Sequence, residues 1–486
     1  MSSPKNAPSG ARIRAGLALA ALLCAALPAQ AADETYLRPM IDVEQSWDSN
    51  IYNDSEGEQS SLITTISPGL WFENRGELGY ARAGVTARGR NVWEESDLTG
   101  IDLLTRGDFE HKLTPRLALF GDGLYDRYSG YDQISDAGSP ADPGNVLLEE
   151  QPRWVRDNLG AGFRYLLTER LSYTLRGYAG RVNYDSSDVG NTGVFNEGYY
   201  RDRTQLGGST RLLYQLTAHD QVMLDVGLDE TEYQDLGAGT NESSIWNSEI
   251  GWSHTWTQFF SSTAKIGFSS TDSEQTGVPQ FATCEAFGRP VTCPGGSSSR
   301  TLIGESDFST SGSALIGTLS LRRVFARGFL ELAYNRSTRS TGGSGRTDFD
   351  IDSFTLSFSH RLAERVRLTL TGNYSAYHSV SDDVPNYAPL NGVCRLGGTK
   401  VPLGFFPPFT AVVQCVGGSS EEKRHYTTLV GKLEWQLRRR LSSYVTATYN
   451  TSKTDQELGN FGDVTTQDLD KFTVATGFRW YHDLGL

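Results

Sequence analysis

The chain has 486 residues, is 38% hydrophobic and carries a formal charge of −14 at pH 7. Beyond the N-terminal segment no run approaches the roughly eighteen apolar residues of a spanning helix, which excludes a helical membrane protein. The acid excess argues against a nucleic-acid partner, since phosphate contacts need clustered Lys and Arg.

In chain order, Lys5, Arg12 and Arg14 precede an apolar run from Ala15 to Leu27, and Ala29-Gln30-Ala31 follows. That is the layout of a secretory signal peptide over residues 1–31, with one domain over 32–486. Cys24 follows Leu23, where lipidation would want a small residue. Cleavage removes three positive charges and no acid, which takes the formal charge from −14 to −17.

From there on, runs of alternating apolar and polar residues are joined by short and long connections in turn. Leu330, Leu332 and Tyr334 alternate with Glu331, Ala333 and Asn335, and Val366, Leu368 and Leu370 with Arg365, Arg367 and Thr369. A period of two places one set on each face of a strand. A first strand is expected from about Tyr36 to Trp47. Eight tight turns follow, at Asn74 to Glu77, Thr114 to Arg116, Thr168 to Arg170, Thr217 to Asp220, Thr257-Gln258, Phe325 to Gly328, Ala363 to Arg365 and Arg438 to Arg440. Eight hairpins, the first strand and a last one from about Gln467 to Leu484 give about eighteen strands.

The remaining connections, around 48–60, 94–99, 130–151, 185–197, 235–242, 273–300, 340–346, 379–424 and 453–466, are longer. Alternation between short turns and long loops is the rhythm of an up-and-down, antiparallel transmembrane β-barrel in a bacterial outer membrane. Short turns would face the periplasm, long loops the cell exterior. A soluble propeller, β-helix or sandwich has no need of that alternation, and no blade or solenoid repeat is visible. The environment then supplies the partners: outer-membrane lipid and lipopolysaccharide, and the barrel-assembly machinery. The chain ends on Leu486 rather than the Phe common in last strands, so its assembly signal departs from the usual one.

Val222, Leu224, Val226 and Leu228 are expected to face lipid opposite Asp225 and Asp229, as are Trp246, Ile250, Trp252 and Trp256 on the following strand. Leu429, Leu433, Trp435 and Leu437 lie opposite Lys432 and Glu434, and Phe472, Val474, Phe478 and Trp480 opposite Lys471, Arg479 and Tyr481. The same reasoning sends Arg82, Arg88, Arg90, Arg106, Arg156, Arg164, Arg203, Arg211 and Arg367 to the lumen, with Asp102, Asp108, Glu110, Asp225, Glu249 and Glu331. Any one of these fits ordinary wet lining. As a set they fit a polar passage, because eighteen strands enclose more space than side chains fill.

Cys284 with Cys293, and Cys394 with Cys415, bracket Gly-, Pro- and Ser-rich segments, and an even count in an exported chain favours disulfide staples. His111, His219, His254, His360, His378, His425 and His482 are scattered. His254 and His360 face outward, where a Ser-His pair could hydrolyse lipid, yet no serine in the sequence is tied to either. No enzyme, metal or cofactor is expected.

Where the first strand meets its loop stands Trp47-Asp48-Ser49-Asn50-Ile51-Tyr52. Asp and Asn here can cap their own backbone in a turn. A first strand ending Asp-x-Asn-Ile-aromatic, at Asp48 and Asn50, also resembles the opening of a bacterial family of putative β-barrel porins found with exopolysaccharide and capsule export systems. The resemblance implies a passage associated with polysaccharide export and with its export components. Two other roles fit the same barrel: a general or substrate-selective porin for small-solute uptake, and a plugged barrel serving as surface scaffold or adhesin.

Overall fold

The computed structural model describes residues 34–52, 58–93, 95, 98–129, 153–184, 202–234, 240–286, 289–290, 300–339, 349–379, 395–402, 410–414, 422–457 and 464–485. The signal segment, Cys293, Cys394 and Cys415 lie outside these residues, as does the side chain of Cys284. Among the described residues there is no helix, and every strand belongs to one antiparallel sheet.

The first strand, β1 (Glu34–Asp48), is followed by the hairpins β2 (Ser61–Gly76) with β3 (Gly79–Val92), and β4 (Gly100–Thr114) with β5 (Leu117–Tyr128). Next come β6 (Trp154–Leu166) with β7 (Leu171–Tyr184), β8 (Arg203–Gln215) with β9 (Asp220–Gln234), and β10 (Thr240–Thr257) with β11 (Phe260–Ala286). After the two-residue β12 (Arg289–Pro290) stand β13 (Arg300–Phe325) with β14 (Gly328–Arg339) and β15 (Phe349–Ala363) with β16 (Val366–Ser379). The short β17 (Arg395–Pro402) and β18 (Thr410–Gln414) precede β19 (Glu422–Arg438) with β20 (Leu441–Glu457), β21 (Val464–Tyr481) and β22 (Leu484–Gly485). Setting aside the four short pieces, eighteen strands close the barrel. Closure runs between β1 and β21, in register from Met40 opposite Tyr481 to Asp48 opposite Thr473.

All eight tight turns fall where the alternation puts them. Four of them share a device: a Thr at the turn's start accepts backbone N–H groups on its hydroxyl. Thr114 Oγ1 accepts from Arg116 and Leu117, Thr168 Oγ1 from Arg170 and Leu171, Thr217 Oγ1 from His219 and Asp220, and Thr257 Oγ1 from Phe259. The bond satisfies donors that the reversed chain leaves outside the ladder.

Two expected connections contain strand. In the 273–300 region β11 runs on to Ala286 and β13 begins at Arg300, so the pair extends well past its neighbours. The 379–424 region contains β17 and β18, and β18 adds to the far end of β11, with Cys284 opposite Ala411. Smaller corrections are β10 beginning at Thr240, and β20 and β21 reaching Glu457 and Val464. Beyond the membrane neither face meets lipid, so the apolar alternation that marks a strand elsewhere is lost there.

The two faces are inverted relative to a soluble protein. Ile101 is 69% exposed, Leu315 59% and Leu206 58%, whereas Asp48, Asn50, Asp102 and Asp126 are fully buried. Lipid supplies the missing contact for the apolar face. Aromatic residues mark its two edges. At the short-turn edge Trp252 stacks on His254, with ring centroids 5.3 Å apart, and Trp256 meets the same imidazole edge-on at 4.4 Å. Toward the other edge Tyr334, Phe354 and Tyr374 form a chain of ring contacts at 4.8 and 6.4 Å. Such belts suit the membrane interfaces.

Candidate functional site

The inner wall is built from the side chains that alternate with this lipid-facing set. On β3 and β4, Arg82 donates to Asp108 at 2.6 Å, and Arg90 meets Asp102 at 3.1 Å with both side chains buried. Arg164 of β6 lies 3.6 Å from Glu110, and Arg156 of the same strand donates to Asp126 at 2.7 Å. Further round, Arg211 of β8 reaches Asp225 of β9, which also accepts from Lys265 of β11 at 2.6 Å. Lys265 stands 3.9 Å from Glu249 of β10, and Arg322 of β13 stands 4.0 Å from Glu331 of β14. Arg203 occupies an inward position of β8, and Arg367 of β16 lies in register with Glu434.

Most of these charges are therefore paired across neighbouring strands. Exposed pairs of this kind add on the order of 0–1 kcal/mol each to stability. Their effect on the lumen is local: each pair sets up a short dipole, and paired charges cancel at a distance. Sequence reasoning placed Asp229 inward but overlooked Arg176, Asp122, Tyr178 and Gln205. Arg176 of β7 donates to both oxygens of Asp122 at 2.8 Å, and Asp229 accepts from Gln205 and from the Tyr178 hydroxyl. Alternation alone could have found Arg176 and Asp122.

A different lining covers β13 to β16. Thr318 donates to Asn335 at 3.0 Å, Ser353 to the Asn335 carbonyl at 3.2 Å, and Thr355 to Asn373 at 3.2 Å. Beside the Arg322–Glu331 pair and Arg367, this sector presents hydroxyls and amides.

Between the two sectors, straddling the closing seam, lies a hollow of about 590 Å³. Asp42 and Glu44 of β1 enter it, and the Tyr444 hydroxyl of β20 lies within hydrogen-bond distance of both, at 2.7 and 2.9 Å. Arg479 of β21 donates to Asp42 at 2.7 Å, and the Lys432 ammonium of β19 sits 4.5 Å from the centre of the Tyr444 ring. A Cβ at Gly477 would fall 2.5 Å from Tyr444 Cζ, so only glycine leaves room for this ring to lie across β21. Alternation gives the inward direction of Lys432 and Arg479. It does not reveal that Arg479 meets Asp42, because that meeting needs the barrel to close.

The Asp48 motif lies at the upper end of the same seam. Asp48 Oδ1 accepts the Asn50 N–H at 3.0 Å, the capping turn expected from sequence. Its other oxygen lies 3.0 Å from the Lys471 ammonium, with the two side chains 0% and 2% exposed. Ser49 ties to Phe472 twice through backbone and hydroxyl, and Ile51 packs with Ile63 and Val92. The motif pins the first strand to the last.

On the lipid side, His254 Nδ1 lies 2.7 Å from Asp220 Oδ1, and Ser262 is its register partner on β11. The Ser262 hydroxyl, however, accepts from Trp256 Nε1 at 2.9 Å and makes no hydrogen bond to His254 among the described residues. The group as it stands is an interfacial anchor of aromatic and polar contacts. Among the described residues no cluster of three or more His, Cys, Asp or Glu could hold a metal ion.

Residues 35–287 match the family model described as Putative beta-barrel porin 2. Among curated proteins none matches. Solved structures similar to the chain include the ferric-catecholate import receptor Fiu from E. coli K12 in its open form, at 10% identity over 93% of this chain and 82% of that one, with a TM-score of 0.45. The FrpB iron transporter from Neisseria meningitidis gives 7% identity over 92% and 81%, with a TM-score of 0.44. A glycine-to-valine mutant of the ferric enterobactin receptor PfeA from Pseudomonas aeruginosa gives 11% over 92% and 80%, with a TM-score of 0.41.

Proposed function

The chain belongs to the putative β-barrel porin 2 family of outer-membrane barrels, and from that premise we propose that it is a passive passage for polar, hydroxyl-rich solutes. The observation that carries this reading is the inner wall itself. It is polar around the circumference, with charges mostly paired across neighbouring strands from β3 to β14 and Ser, Thr and Asn side chains interspersed over β13 to β16. A solute losing part of its hydration shell meets donors and acceptors at every step, and a cancelling charge ladder binds nothing so tightly that it stops moving. The described part of the 379–424 region supports an open lumen, since β18 continues the wall at the end of β11.

Planar-bilayer recording tests the reading. The refolded protein is expected to give stepwise, voltage-tolerant conductance increments in KCl. A folded barrel that never conducts would overturn it.

A second reading is exit of an exopolysaccharide. The Asp48-Ser49-Asn50 resemblance and the hydroxyl-lined sector support it. Deletion would then reduce surface polysaccharide while small-solute uptake stays unchanged; the reverse outcome assigns the passage to uptake.

A further inference from the structure

We propose that the hollow at the closing seam is a binding subsite for an acidic saccharide, a pyranose ring bearing a carboxylate. The inference rests on the porin reading above and names the class of solute its wall selects.

Trp71 of β2 carries the first part. A Cβ built on Gly84 would fall 2.4, 2.6 and 2.6 Å from Trp71 Cδ2, Cε2 and Cε3. Near-equal distances to one fused carbon and its two neighbours mean that the indole lies face-on against β3, over the space a side chain would fill. Its other face is turned into the hollow. Among the described residues no ring or cation stacks on that face, and the indole N–H has no hydrogen-bond partner. A wet lumen gains nothing by presenting a bare indole face to water. The C–H face of a pyranose is the complementary surface, apolar on one side and ringed by hydroxyls at its edge.

Charge carries the second part. Five cationic side chains line the hollow, Arg88, Arg106, Lys432, Lys471 and Arg479, against the two carboxylates of Asp42 and Glu44. The chain as a whole is strongly acidic. Arg479 and Lys471 are taken by Asp42 and Asp48. Arg88, Arg106 and Lys432 have no carboxylate within ion-pair distance among the described residues. Arg106 lies in register with Gly84, beside the seat of Trp71, and Arg88 faces inward on the same strand as Gly84. Elsewhere on the wall the guanidinium groups of Arg82, Arg164, Arg176 and Arg211 have carboxylate partners. An open aromatic platform flanked by unpaired guanidinium groups suits a sugar ring on the indole with its carboxylate on arginine. Ser67 and Thr86, which also line the hollow, offer hydroxyls to the ring edge.

The test is current block in planar bilayers with trigalacturonate, and with maltotriose as the neutral comparison. Trigalacturonate is expected to interrupt the wild-type current at about tenfold lower concentration than maltotriose, the order of one charge-assisted contact. Trp71→Ala and Arg88→Gln/Arg106→Gln should each weaken block by about tenfold, read as the blocking concentration relative to each variant's own unblocked current. Trp71→Phe, which keeps a face, should retain most of it. Equal block by the two sugars, or full block in Trp71→Ala, overturns the proposal. A barrel that does not conduct removes the porin reading instead. The subsite is then judged by tryptophan fluorescence of the refolded protein, where trigalacturonate should change the wild-type signal and leave Trp71→Phe flat; an unresponsive wild type overturns it.

Discussion

Asp48 and Lys471 face each other at 3.0 Å with almost no solvent access, and they belong to strands that start and end the barrel. Removing one partner of such a pair breaks a buried ion pair, a loss of about 3–5 kcal/mol. Asp48→Ala should therefore lower the urea midpoint of the refolded barrel sharply, and Lys471→Met in the same chain should restore most of it. Strictly additive losses in the double variant would mean that the two side chains do not depend on each other. Position 48 was legible from sequence as a turn former, and the turn is there. Its ion pair was not, because Lys471 lies far away in sequence and becomes a neighbour only when β21 reaches β1. The same holds for Asp42 and Tyr444, which are separated by 402 positions.

Hairpins are the scale at which the sequence spoke most clearly, because a period of two and a tight turn are both local properties. The Thr hydroxyls that close four of the turns are local too. Thr168→Val should cost about 0.5–1.5 kcal/mol in unfolding free energy, the net worth of such a hydrogen bond, and Thr168→Ser should cost almost nothing. Equal effects from the two would show that the methyl group matters rather than the oxygen. Legibility ended where β11 and β13 leave the membrane, since there a strand keeps its backbone ladder and loses its lipid face. Cys284 stands on that outer stretch of β11. Arg395 pairs with Gln414 across the β17–β18 hairpin, and Cys394 and Cys415 are their immediate neighbours in sequence. A local Cys394–Cys415 disulfide is the proposal, and peptide mapping without reductant should recover these two cysteines on linked peptides. Recovery of Cys394 linked to Cys284 or Cys293 would replace local staples with a bridge between the two regions.

At the scale of the whole molecule, one assignment underlies everything proposed for the lumen: which face of each strand meets lipid. It can be tested without reference to transport. Leu319 and Ser320 are adjacent on β13, with Leu319 on the apolar face and 47% exposed, and Ser320 on the opposite face in register with Thr263 and Ala333. An arginine on the lipid face near the middle of the membrane costs about 2–4 kcal/mol, whereas a lumenal one is solvated. Leu319→Arg should thus unfold at markedly lower urea in lipid vesicles, and Ser320→Arg should stay close to wild type. In detergent micelles, whose headgroups approach the strand more easily, the gap between the two variants should narrow. A reversed order would turn the strand inside out, and with it the charged ladder, the hydroxyl sector and the seam hollow. Because neighbouring strands are paired antiparallel all the way round the barrel, inverting one face inverts them all. The comparison at two adjacent residues therefore decides the sidedness of the entire wall.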